Sequence, residues 1–180
     1  MNKAEITRHL LTFLIYALIV FLAGRYFSLA FILFIFGGVI GLIVLFFDPI
    51  FSSFLSDNHL PDATITTDQL KSGNWREAIF SSFNRHQSLE QPILHSALFQ
   101  IALMILGFYV ITSGGSLFVS GLVSGMILHL IKEEFDLRSN KAFLKQRLFW
   151  NIHREISDRE QRIYLGTVFV IFIVETMLLI

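Results

Sequence analysis

The chain contains no cysteine. That excludes disulfide scaffolding, thiol catalysis and any Cys-ligated metal or iron–sulfur cluster, so a metal here would need His and carboxylate ligands. Net charge is missing too, because 14 Lys and Arg are balanced by 14 Asp and Glu. A balance of this kind leaves no electrostatic footprint for nucleic acid, and none is expected as a partner. The apolar runs carry no repeated charges at their centres and form no inverted halves, the features that favour an ion or solute path. Charged residues make up only 16% of the sequence, against 54% hydrophobic residues, 20 Phe and a mean hydropathy of +0.64. Those values are wrong for a soluble domain of 180 residues and fit an integral membrane protein.

Five apolar runs give an all-α fold class: a polytopic membrane helical bundle with five transmembrane helices and an amphipathic interfacial helix, in a single membrane domain over 1–180. The first run, 8–24, follows Lys3 and Arg8 and leads almost at once into another apolar segment, so it reads as a retained span and not a cleaved signal. The second, 28–47, carries Gly37, Gly38 and Gly41, which strip bulk from one region and let a neighbouring helix approach. Residues 48–92 form a cytoplasmic polar loop. Within it, 56–62 is loop-like, Thr67 to Leu70 opens one helical turn, and Asn74 caps a short interfacial helix whose apolar face holds Trp75, Ile79, Phe80 and Phe83. The third and fourth runs, 93–111 and 117–131, are joined by a short Gly-rich turn. In the fourth, Gly121 and Gly125 lie four apart beside Ser120 and Ser124, a surface suited to intramolecular helix packing. The fifth, 163–180, contains Glu175, whose place near the end of the run suggests an interfacial carboxylate.

Residues 132–162 carry eight of the 14 basic residues, interleaved with Phe143, Leu144, Leu148, Trp150, Ile152 and Ile156. This basic cytoplasmic segment reads as a surface helix over 139–160 lying on anionic phospholipid. With the N-terminus cytoplasmic and the C-terminus outside, thirteen of the fourteen basic residues face the cytoplasm, with Arg25 alone outside.

That topology brings Asp48, His95, His129 and Glu133 to the cytoplasmic ends of their helices. His129 and Glu133, four apart, share a helix face, while Glu90 precedes Pro92 and falls in the preceding loop. Two imidazoles and two carboxylates can hold zinc or another divalent metal, and an open coordination position can activate water. Taken singly, a His at a membrane interface hydrogen-bonds or faces headgroups. His86, His59 and His153 are weaker candidates than His95 and His129. Ser96 is a helix cap.

The stretch Glu90-Gln91-Pro92-Ile93-Leu94-His95-Ser96, Asp48 after the second run, and His129 with Glu133 resemble motifs of the LexA-regulated, YdjM-like family of inner-membrane metal-dependent hydrolases, over residues 37–136. Glu90 stands where the family has a His and Glu133 where it has Asp, and the family's paired aspartates are reduced to Asp48. The resemblance implies a metal site at Asp48, His95, His129, Glu133 and Glu90, with Asp48 and Glu133 in the catalytic role. It also implies hydrolysis of an ester or phosphoester at the headgroup layer, with Arg85 or Lys132 attracting its negative charge. The other reading is a catalytically inactive protein in which these groups knit helix ends together while 132–162 binds lipid, a membrane-protein partner or a second copy of the chain.

Overall fold

The computed structural model describes residues 3–55, 61–85 and 91–180, and among the described residues it contains nine helices and no strand. They are α1 (Lys3–Ala23), α2 (Phe31–Leu45), α3 (Asp48–Leu55), α4 (Pro61–Lys71), α5 (Trp75–Arg85), α6 (Ala97–Thr112), α7 (Leu117–Leu137), α8 (Lys141–Phe149) and α9 (Asp158–Leu179). All five apolar runs are helical. Two helices, α1 over Glu5–Ala23 and α9 over Asp158–Leu179, are long and apolar enough to cross a membrane; α2 and α6 are apolar but shorter. Their outward faces are apolar as well: Leu11, Leu18 and Leu22 of α1 and Ile105 and Tyr109 of α6 are all exposed. Apolar surface of that extent needs a partner or a hydrocarbon solvent.

The bundle is assembled around α7, and glycine decides how. A Cβ at Gly121 would lie 2.0 Å from the Phe34 carbonyl oxygen, and one at Gly125 would lie 2.3 Å from that of Gly38. From the other side, Cβ atoms at Gly37 and Gly41 would lie 2.0 and 2.2 Å from the carbonyl oxygens of Phe118 and Leu122. The glycines of the second and fourth runs therefore serve one shared contact, backbone against backbone between α2 and α7. Phe13 of α1 covers Gly38, and Phe13, Phe34, Val20 and Leu45 are fully buried around this contact. The α6–α7 turn takes its left-handed residue at Gly114 (φ +66°), where a side chain would be strained.

Several local expectations need correction. Residues 48–55 and 61–71 are helical, not loop or a single turn: Asp48-Pro49 and Pro61 open α3 and α4, where the missing proline N–H costs nothing. The surface helix expected over 139–160 is only α8. It stops at Phe149, and a capping box of Ser157 and Glu160 then starts α9 at Asp158, five residues before the apolar run. Leu144, Leu148 and Phe149 of α8 pack inward with Ala97 and Ile156, and the Trp150 indole N–H donates to the Pro92 carbonyl at 2.8 Å. α8 thus caps the bundle end, and these apolar groups contact protein. α5 is helical as expected, with Trp75, Ile79 and Phe80 exposed. Glu175, expected as an interfacial carboxylate, is buried: it is 2% exposed, packed beside Gly107 of α6.

Candidate metal centre

Asp48 is the hinge of the site. α2 ends at Leu45, Phe46 and Phe47 turn the chain, and Asp48 begins α3 fully buried. Its Oδ1 accepts the backbone N–H groups of Ile93 at 2.9 Å and Leu94 at 3.1 Å and the Ser52 hydroxyl at 3.2 Å. Its Oδ2 lies 2.5 Å from His95 Nδ1. The carboxylate thus organises the segment before α6, where Ser96 caps the helix by accepting from the Phe99 N–H at 3.3 Å. A proton on Nδ1 shared with Asp48 leaves His95 Nε2 as the lone-pair nitrogen turned into the bundle. Carboxylates commonly orient metal-binding imidazoles in this way.

His95 Nε2 meets Glu133 Oε2 at 2.8 Å, and His129 Nε2 lies 3.9 Å from the same oxygen. His95 Nε2 and Glu133 Oε2 face each other as a charged pair, and neither atom has a further hydrogen-bond partner. One ligand atom from each of His95, His129 and Glu133 lies within 4.8 Å of the others. The remaining oxygen, Glu133 Oε1, accepts from Arg147 Nη1 of α8 at 2.8 Å. Two imidazoles and one carboxylate converge in the buried interior, with Glu133 Oε2 between the two rings. This donor set fits zinc or another divalent cation with a coordination position left open.

Charge is compensated within the protein. Burial disfavours an imidazolium at His95, yet Glu133 and Asp48 outweigh it and push the His95 pKa up to about 9. Burial by itself would raise Glu133 as well, but His95 and Arg147 hold that carboxyl well below its ordinary value. A proton on His95 and a cation in the pocket are therefore alternatives, both answering the same two carboxylates.

Asp48, His95, His129 and Glu133 all lie in this cluster, with Asp48 against the far nitrogen of His95. Glu90, His59 and His86 lie outside the described residues, as does the side chain of Arg85. His153 is exposed, and Lys132 pairs with Asp136 on the surface. Five residues at the centre escaped the sequence reading. His9 of α1, 2% exposed, stacks on His129 with ring centroids 4.2 Å apart, and neither of its nitrogens has a hydrogen-bond partner. Its signal was available, because the expected five-span topology puts position 9 at the same bundle end as position 129. Arg147, one of the basic residues of the segment expected to lie on phospholipid, is 2% exposed. Glu134 accepts from Gln100 Nε2 at 2.6 Å, Gln100 Oε1 accepts from the Tyr164 hydroxyl at 2.7 Å, and burial pushes Glu134 up to about 7. A cavity of about 10 Å³, bordered by His95, Gln100, Glu133, Glu134 and Arg147, adjoins this chain. That is space for about one water.

Comparison with protein-family models, with curated proteins and with solved structures finds no match.

Proposed function

We propose that this chain is a five-span inner-membrane protein whose cytoplasmic-end centre binds a divalent cation, zinc for preference, and hydrolyses an ester or phosphoester at the headgroup layer. On this reading it is a divergent relative of the YdjM-like hydrolases, and membrane phospholipid is its substrate class. The convergence of His95 Nε2, His129 Nε2 and Glu133 Oε2 on one buried point, with His95 fixed from behind by Asp48, carries the reading. A divalent cation held there would activate water and polarise the scissile group. The chain's residues have separable tasks. Asp48 orients His95, Arg147 holds the second oxygen of Glu133, and the Glu134–Gln100–Tyr164 chain keeps a carboxyl beside the one-water cavity.

A second reading has its own supporting observation. Asp48, His95, Glu133 and Arg147 join α3, the segment before α6, α7 and α8 through contacts of 2.5 to 2.8 Å, so the same cluster could serve only to lock the bundle end. The two readings part on metal content and turnover. Protein purified without chelator should carry about one divalent ion per chain, and His95→Ala and His129→Ala should each lose it while remaining folded. Headgroup or phosphate release from membrane-derived lipids should then disappear in the metal-free double variant. A folded, metal-free wild type, or a metal-loaded one without turnover, would favour the structural reading.

A further inference from the structure

The buried carboxylate of α9 stands apart from the metal centre. Glu175 is 2% exposed, and its Oε1 and Oε2 would lie 3.1 and 3.2 Å from a Cβ on Gly107. The glycine makes room for the carboxylate where α6 and α9 meet. Oε1 is buried and has no hydrogen-bond partner. The Tyr16 hydroxyl of α1, buried and 3.3 Å from Thr176 Oγ1 of α9, is within electrostatic reach of Glu175, and Ser124 of α7 adjoins the same phenol. Glu175 interacts with the backbone N–H of Phe108, and no cationic side chain among the described residues faces it from α1, α6 or α7.

Depth agrees from two helices. Gly107 lies five residues before Thr112 at the end of α6, and Glu175 four before Leu179 at the end of α9, which places the carboxylate roughly 6–8 Å inside the bundle at 1.5 Å per residue. Tyr16 is seven residues beyond His9, roughly 10 Å further along α1. The site therefore lies in the other half of the bundle from His95 and His129.

We propose that Glu175, with the hydroxyls of Tyr16, Ser124 and Thr176, forms a second site that binds one positive charge, either a proton or a small alkali cation. An isolated carboxylate in a low-dielectric interior is costly, and its protein surroundings supply no cation, so neutralisation comes from solution. One carboxylate among neutral hydroxyl oxygens matches a single positive charge. A divalent ion would leave an excess charge buried in the same medium. This site does not depend on the metal reading, and either can fail alone.

Infrared difference spectroscopy of the full chain in lipid vesicles tests it without requiring a reagent to reach the interior. A protonated carboxyl has a carbonyl stretch well separated from carboxylate bands. The expected spectrum has such a band in choline buffer, missing in Glu175→Gln and displaced in Glu175→Asp, which keeps the acid if Gln impairs folding. Loss of the band on adding sodium identifies an alkali cation as the ligand, whereas loss only on raising pH identifies the proton. Tyr16→Phe with Thr176→Val should move the midpoint of either titration at least tenfold in ligand concentration. A band at Glu175 that neither pH nor sodium alters, the absence of any band sensitive to both Glu175 variants, or an unmoved midpoint would overturn the site.

Discussion

At the residue scale the centre is a set of coupled charges, and its pH response follows from their directions. His95, ordinarily near 6.5 and raised to about 9, contributes stability that is full below pH 6.5 and lost as pH rises through about 9. Glu134, ordinarily near 4.5 and raised to about 7 by burial, withdraws stability as pH climbs from 4.5 through about 7. Glu133, held low, contributes above 4.5 and loses that contribution only as pH falls through its depressed value. The contributions of His95 and Glu134 to the metal-free protein's thermal stability should therefore fall between about pH 4.5 and about pH 9, and His95→Gln should remove the upper part of that fall. Added zinc should shift the melting temperature more at pH 8 than at pH 6, because it competes with the proton on His95. A zinc shift independent of pH would remove His95 from the ligand set. Asp48→Asn keeps an acceptor for the Ile93 and Leu94 N–H groups but loses the charge behind His95. Metal affinity should fall about 10–100-fold with the fold retained, measured by competition with a chromogenic chelator.

The element scale turns on α7. It presents glycine to α2, His129 and Glu133 to the centre, and Glu134 to α6, so its rotation is set by the α2 contact and the site inherits it. Gly121→Ala would drive a Cβ to 2.0 Å from the Phe34 carbonyl, a backbone atom that cannot swing aside. The expected cost is about 1–3 kcal/mol or more, typical of overpacking. Gly166→Ala in α9 meets nothing within 4 Å and should be neutral or stabilising by up to about 1 kcal/mol through helix propensity. Melting curves of the two variants in one detergent decide the matter, and equal stabilities would contradict the α2–α7 approach. α8 belongs to the same logic: its basic face reads from sequence as a lipid ligand, but Arg147 has a buried carboxylate to satisfy, and Leu144 and Leu148 have apolar surface to cover.

For the whole molecule, five spans with a cytoplasmic N-terminus predict that reporters fused at Ser116 and after Ile180 both report the outside compartment. A cytoplasmic signal after Ile180 would force a four-span arrangement. Either result bears on function, since the centre lies at the bundle end that the basic residues mark.

Much of this architecture was legible in the residues themselves. Apolar runs of helical length, glycines at packing spacings and the four-residue step from His129 to Glu133 are local quantities, and local backbone and solvent physics reads them directly. The absence of cysteine equally restricted any metal to His and carboxylate ligands. What only the tertiary structure decided were the partners across the bundle: that the glycines of α2 meet those of α7, that Asp48 backs His95, that His9 stacks on His129, that Arg147 turns inward to Glu133, and that Glu175 is buried beside Gly107. Each joins residues far apart in the chain, and each depends on helix rotation. A helix face has the same sequence spacing whichever neighbour it meets, so burial and charge pairing are set only when the helices close on one another.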